Sequence, residues 1–87
     1  MQAIITKYYG PTETRGTRIV ARCSEDSAIV ARNHAVNVEM DHARAAQKLA
    51  HKLGWYGRWF GTHLPGDRMA WVPTVGFVID VDDNESD

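Results

Sequence analysis

Four histidines, a single cysteine and ten basic residues are the side chains of this chain with most chemistry to offer, and their spacing decides which chemistry is open to them. His34, His42, His51 and His63 show neither an HxxxH nor an HExxH pattern, and Cys23 has no second cysteine to join it. A zinc site or a metal-activated water therefore has no ligand set at the usual spacing. His42 follows Asp41 directly, but neighbours on a helix point about 100° apart, so the two do not make an acid–base dyad by themselves. Cys23 sits in an apolar alternation, where a buried thiol is inert. Gly54 and Gly57 bracket Trp55-Tyr56 instead of opening a helix after a strand, so no phosphate loop is present. The chain reads as non-enzymatic, with no cofactor and no metal.

The arginines form a more suggestive pattern. In Thr17 to Cys23, Arg18 and Arg22 alternate with the aliphatic side of a strand, and Arg32 is expected on the matching face of its hairpin partner. Lys7 and Arg15 fall close by in the expected sheet. Guanidinium groups gathered on such a ribbon can grip phosphates. The plainer reading is a solvated sheet face, for which arginine's long stem is also well suited. The second half of the chain adds Trp55, Tyr56, Trp59, Phe60 and Trp71. Large rings help a small domain bury enough surface. Alternation nevertheless sets Trp59 and Phe60 on opposite faces, so an exposed ring beside Arg58 or Arg68 would offer a protein contact or a platform for a base. The candidate binding residues are Lys7, Arg15, Arg18, Arg22, Arg32, Arg58 and Trp59.

The elements that must position these residues are legible from period and punctuation. Gln2 to Tyr8 favours extended backbone and is stopped by Gly10-Pro11. Thr17 to Cys23 and Ala28 to Asn33 both alternate, with the polar turn Ser24-Glu25-Asp26-Ser27 between them, and predict a hairpin. Val38 to Leu53 lacks Gly and Pro and predicts a helix. Asn37 is its N-cap, Glu39 and Asp41 lie in its first turn, Lys48 and Lys52 near its end, and Gly54 just beyond. His42, Ala46, Leu49, Ala50 and Leu53 make its core stripe. Arg58 to His63 and Arg68 to Val72, joined by Leu64-Pro65-Gly66-Asp67, predict a second hairpin. Val75 to Val81 is apolar enough for a sixth strand, paired with the sheet or with a second copy in a homodimer, and 82–87 reads as an acidic disordered tail. The expected fold is α+β, an antiparallel sheet of five or six strands with one helix on one face, in the order βββαββ(β).

The chain's 87 residues, 44% apolar and 24% charged, suit one domain, here 1–81. The net charge of −1 conceals a division: up to Val72, ten cations against six acids leave a body of +4, and from Pro73 onward five acids give −5. The lone cysteine and the absence of a long apolar run suit the cytoplasm and no membrane.

Gln2-Ala3-Ile4, Gly10-Pro11-Thr12 with Thr14-Arg15-Gly16, Asn33-His34-Ala35 followed by Asn37-Val38, and Lys52-Leu53-Gly54-Trp55 with Arg58-Trp59 resemble a family of short uncharacterised proteins encoded on bacterial plasmids, prophages and phages. The resemblance runs to Val72. Family members usually carry aspartate where this chain has Asn33, and they end near Val72. The likeness implies a mobile-element setting and no assigned activity. The expectation is a small binding protein that holds nucleic acid or a nucleoprotein complex on its arginine-bearing sheet face. The alternative is a protein-interaction inhibitor or adaptor, of the anti-defence kind, acting through its acidic tail and exposed aromatics.

Overall fold

The structure, a computed structural model, describes residues 2–74 together with 79 and 80. Strand β1 (Ile4–Tyr9) forms where β-branched and aromatic residues follow one another, and β2 (Arg18–Arg22) and β3 (Ser27–Ala31) are the two arms of the expected hairpin. Helix α1 (Val38–Lys52) comes next, then β4 (Trp59–Leu64) and β5 (Arg68–Pro73). All neighbours pair antiparallel, in the order β3-β2-β1-β5-β4. The architecture is thus α+β, one helix and a five-stranded antiparallel sheet in the chain order βββαββ. The stretch expected as a sixth strand and the acidic tail fall, apart from Ile79 and Asp80, outside the described residues. Ile79 and Asp80 are in no strand, and Ile79 is 81% exposed.

The helix is fixed at both ends by its own sequence. Asn37 accepts a hydrogen bond from the Met40 amide at 2.8 Å, the N-cap contact that Asn makes well, and past the last turn Gly54 takes a left-handed φ of +72°. Ala45, Ala46, Leu49 and Ala50 turn toward the sheet and meet Ile4, Ile19, Ala21 and Ala28 in one core. Small residues along the stripe let the helix lie close to the strands. Ile4, Ile19 and Leu49 are fully buried, each worth about 1.5–3 kcal/mol of transfer free energy.

The helix covers only part of the sheet. It packs on β1, β2 and β3, and its last turns reach the sheet edge, where Lys48 Nζ donates to the Ile29 carbonyl at 2.9 Å and Lys52 Nζ to the Ser27 carbonyl at 3.3 Å. Near its start, Glu39 Oε2 lies 3.4 Å from His63 Nε2 on β4. Between the later turns and the β4–β5 hairpin the layers diverge. A groove of about 360 Å³ opens there, lined by Ala46, Ala50, Trp55, Tyr56, Trp59 and Trp71.

Candidate nucleic-acid interface

The cross-strand register divides the sheet's side chains into two sets. Opposed residues of antiparallel strands share a face, so the pairs Lys7↔Val20, Tyr9↔Arg18, Ile5↔Arg22 and Lys7↔Arg68 place Lys7, Arg18, Arg22 and Arg68 together on the face away from the helix. Ile29, Phe60, Leu64, Ala70 and Val72 share that face through Val20↔Ile29, Phe60↔Val72, Leu64↔Arg68 and Ile5↔Ala70. No strand position on this open face is acidic. Lys7, Arg18 and Arg22 are therefore brought together as the alternation of the sequence requires.

Arg32 is not among them, which corrects the expected trio. The turn between β2 and β3 spans Cys23 to Asp26, so Arg22 pairs with Ser27 and Arg18 with Ala31. Even-numbered positions of β2 consequently share a face with odd-numbered positions of β3, and Arg32 goes to the helix side with Ala28 and Val30. There its Nη1 donates to Asp41 Oδ2 at 2.7 Å, to the Val36 carbonyl at 3.0 Å and to the Asn33 carbonyl. Asp41 is fully buried. It also accepts from the Asn33 amide at 2.7 Å and from Arg44 Nη1. Burial pushes the Asp41 carboxyl up, but the Asn33 amide and the guanidiniums of Arg32 and Arg44 outweigh it and hold the group below its ordinary value. Arg32 is a structural tie between β3 and the helix.

On the open face, Tyr9 organises the cations. Its ring lies 5.2 Å from Lys7 Nζ and 5.1 Å from the Arg18 guanidinium carbon. Such stacking holds long cationic side chains against the sheet at little entropic cost. Arg18 is half-buried, and among the described residues its Nε and Nη1 are shielded from water with no hydrogen-bond partner. Arg22 is exposed, and Arg68 is half-buried, its Nε donating to the Pro65 carbonyl at 2.8 Å. Phe60 is 63% exposed on the same face. Tyr9 extends the candidate surface beyond the residues singled out from sequence, and Arg68 and Phe60, weighed there as a cation beside an exposed ring, join it. Arg68's own alternation with Met69 was visible, but its place beside Lys7 depends on a pairing between chain segments about sixty residues apart.

The other candidates occupy separate places. Arg15 stands exposed in the loop 10–17, where its amide donates to Thr12 Oγ1 at 3.1 Å. Arg58 is exposed just before β4, its carbonyl accepting from Thr74. Trp59 turns to the helix side, half-buried and stacked on Trp55 with ring centroids 6.2 Å apart, so Phe60 and not Trp59 is the exposed ring.

A second polar cluster lies beneath the helix. Thr6 Oγ1 accepts from Trp71 Nε1 at 3.0 Å and lies 2.7 Å from His42 Nδ1, and its 3.4 Å approach to the Met69 carbonyl is at the limit of a bond. We assign the single hydroxyl proton to the shorter contact, which leaves His42 neutral with its proton on Nε2. Burial lowers the His42 pKa, with the neighbouring His63 adding to it. His42 borders a cleft of about 530 Å³ that also meets Tyr8, His34, His63 and Asp67. Asp41 spends both oxygens on Arg32, Arg44 and Asn33, so it does not orient the imidazole. Among the described residues no group of three or more His, Cys, Asp or Glu side chains could hold a metal ion, and no helix is long and apolar enough to cross a membrane. Comparison of the chain with protein-family models, with curated proteins and with solved structures gives no match.

Proposed function

We propose that this is a small non-enzymatic binding protein that holds nucleic acid, free or within a nucleoprotein complex, against the open face of its sheet. The observation that carries this reading is the charge of that face: Lys7, Arg18, Arg22 and Arg68 stand on it, and among the described residues none of its strand positions is acidic. Phe60 supplies an exposed ring on which a base can stack, which favours a single strand over a duplex. The likeness to plasmid, prophage and phage proteins supports a mobile-element setting, and the lone Cys23 supports a cytoplasmic one.

Fluorescence anisotropy with labelled single-stranded and duplex DNA, at about 50 and 200 mM salt, tests the reading. Binding should weaken steeply with salt, and replacing Arg18 and Arg22 by alanine should flatten the log–log slope by roughly 1.4–1.8. Absence of binding at the lower salt, or a slope untouched by the double substitution, refutes it.

The exposed apolar side chains Tyr56, Phe60 and Val72 favour a second reading, an adaptor or inhibitor that docks on a host protein. It requires that Phe60→Ser abolish capture of the partner while the arginine substitutions leave it intact, as read by pull-down after nuclease treatment.

A further inference from the structure

The two edges of the sheet are treated differently. Along β3, the Arg32 amide bonds the Thr17 carbonyl, and in the same register Ile19 pairs with Val30 and Ala21 with Ala28 by hydrogen bonds. Ser27, Ile29 and Ala31 therefore turn their backbone groups outward. The carbonyls of Ser27 and Ile29 are the ones that Lys52 and Lys48 cover. Lysines laid over an edge are a known obstacle to another strand.

Along β4, among the described residues, nothing comparable occurs. The Thr74 amide bonds the Arg58 carbonyl, so the hydrogen-bonded pairs with β5 are Phe60–Val72, Thr62–Ala70 and Leu64–Arg68. Trp59, Gly61 and His63 then point their N–H and C=O groups away from the sheet. The strand reads Trp-Phe-Gly-Thr-His-Leu, with no Lys, Arg, Asp, Glu or Pro to deter pairing. At its middle, the Trp71 ring lies over the helix-side face of Gly61, so close that even a Cβ could not fit.

We propose that β4 pairs antiparallel with β4 of a second copy about a two-fold axis at Gly61. The register follows from the outward groups. Gly61 faces Gly61 of the second copy, and Trp59 faces His63, with every outward N–H meeting an outward C=O. The close, non-hydrogen-bonded pairs are Phe60 with Thr62, a bulky ring beside a small β-branched residue on the open face. Because the lysine-covered β3 cannot receive β4, head-to-tail growth is blocked and the association closes as a dimer. The axis stands normal to the sheet, so two five-stranded sheets become one of ten strands, with both helices on one side and both basic faces on the other.

The test is sedimentation equilibrium of the full chain across micromolar to submillimolar concentrations, with circular dichroism to verify that each variant folds. The wild type should dimerise. F60K/T62K, both on exposed strand positions, sets like charges opposite each other across the axis and should raise the dissociation constant at least about tenfold. F60K/T62E sets opposite charges there and should recover the dimer. A wild type that stays monomeric, a dimer undisturbed by F60K/T62K, or a failure of F60K/T62E to recover it overturns the proposal. None of these outcomes depends on nucleic-acid binding.

Discussion

Asp41 gathers donors from three places in the chain: the Arg32 side chain, the Asn33 amide and Arg44 one turn along its own helix. A buried carboxylate survives only when its lost hydration is replaced in this way. Asp41→Ala leaves Arg32, itself largely shielded, without its counter-charge, and should cost on the order of 3 kcal/mol in urea unfolding. Because the folded pKa of Asp41 is depressed, its contribution is complete above the unfolded value of 3.8 and is lost as pH falls through the folded pKa. Acid titration of stability should therefore steepen below about pH 4 in the wild type and less so in Asp41→Asn. His42 acts in a different range. Its folded pKa lies below 6.5, so the unfolded chain takes up the proton first, and stability falls as pH drops below that value. Replacing His42 by glutamine should remove that slope from melting temperatures measured between pH 7 and 5. Thr6→Val keeps the shape but strips a partner from Trp71 Nε1 and from His42 Nδ1, at about 1–3 kcal/mol.

At the scale of elements, Gly61 and Trp71 are coupled by contact. A Cβ at position 61 would come within 2.4 Å of the Trp71 ring, so Gly61→Ala must displace the indole from the sheet. The expected cost is about 1–3 kcal/mol, with a shift in tryptophan emission as the independent sign that the ring has moved. This contact also marks what the sequence could tell. The helix was legible because Asn37, the two early acids, the late lysines and Gly54 all agree on its ends, and the strands because alternation is a local signal. The arginine face was legible where one strand's alternation sufficed, for Arg18 and Arg22. It failed at Arg32, because the face of a hairpin's second arm depends on how many residues the turn consumes. The burial of Asp41 was hidden for a related reason. Glu39 and Asp41 look alike in a first turn, and only the approach of Arg32 from another element makes one of them a core residue while the other stays exposed.

At the scale of the molecule, arginines of one type have two distinct jobs. Arg22, exposed on the open face, should be replaceable by alanine with a stability change within about 0.5 kcal/mol, whereas Arg32→Ala should unfold the protein far more readily. Paired denaturation curves decide this directly. The uneven reach of the helix has one more consequence. All three tryptophans of the chain sit in the corner that the helix leaves open, and none lies on the β2–β3 ribbon. Intrinsic fluorescence is thus a local gauge of that corner, while far-ultraviolet dichroism averages over the entire backbone. If the two signals melt at different temperatures, the β4–β5 hairpin loosens before the layer that the helix covers; if they coincide, a single cooperative unit extends across the sheet despite its partial roof.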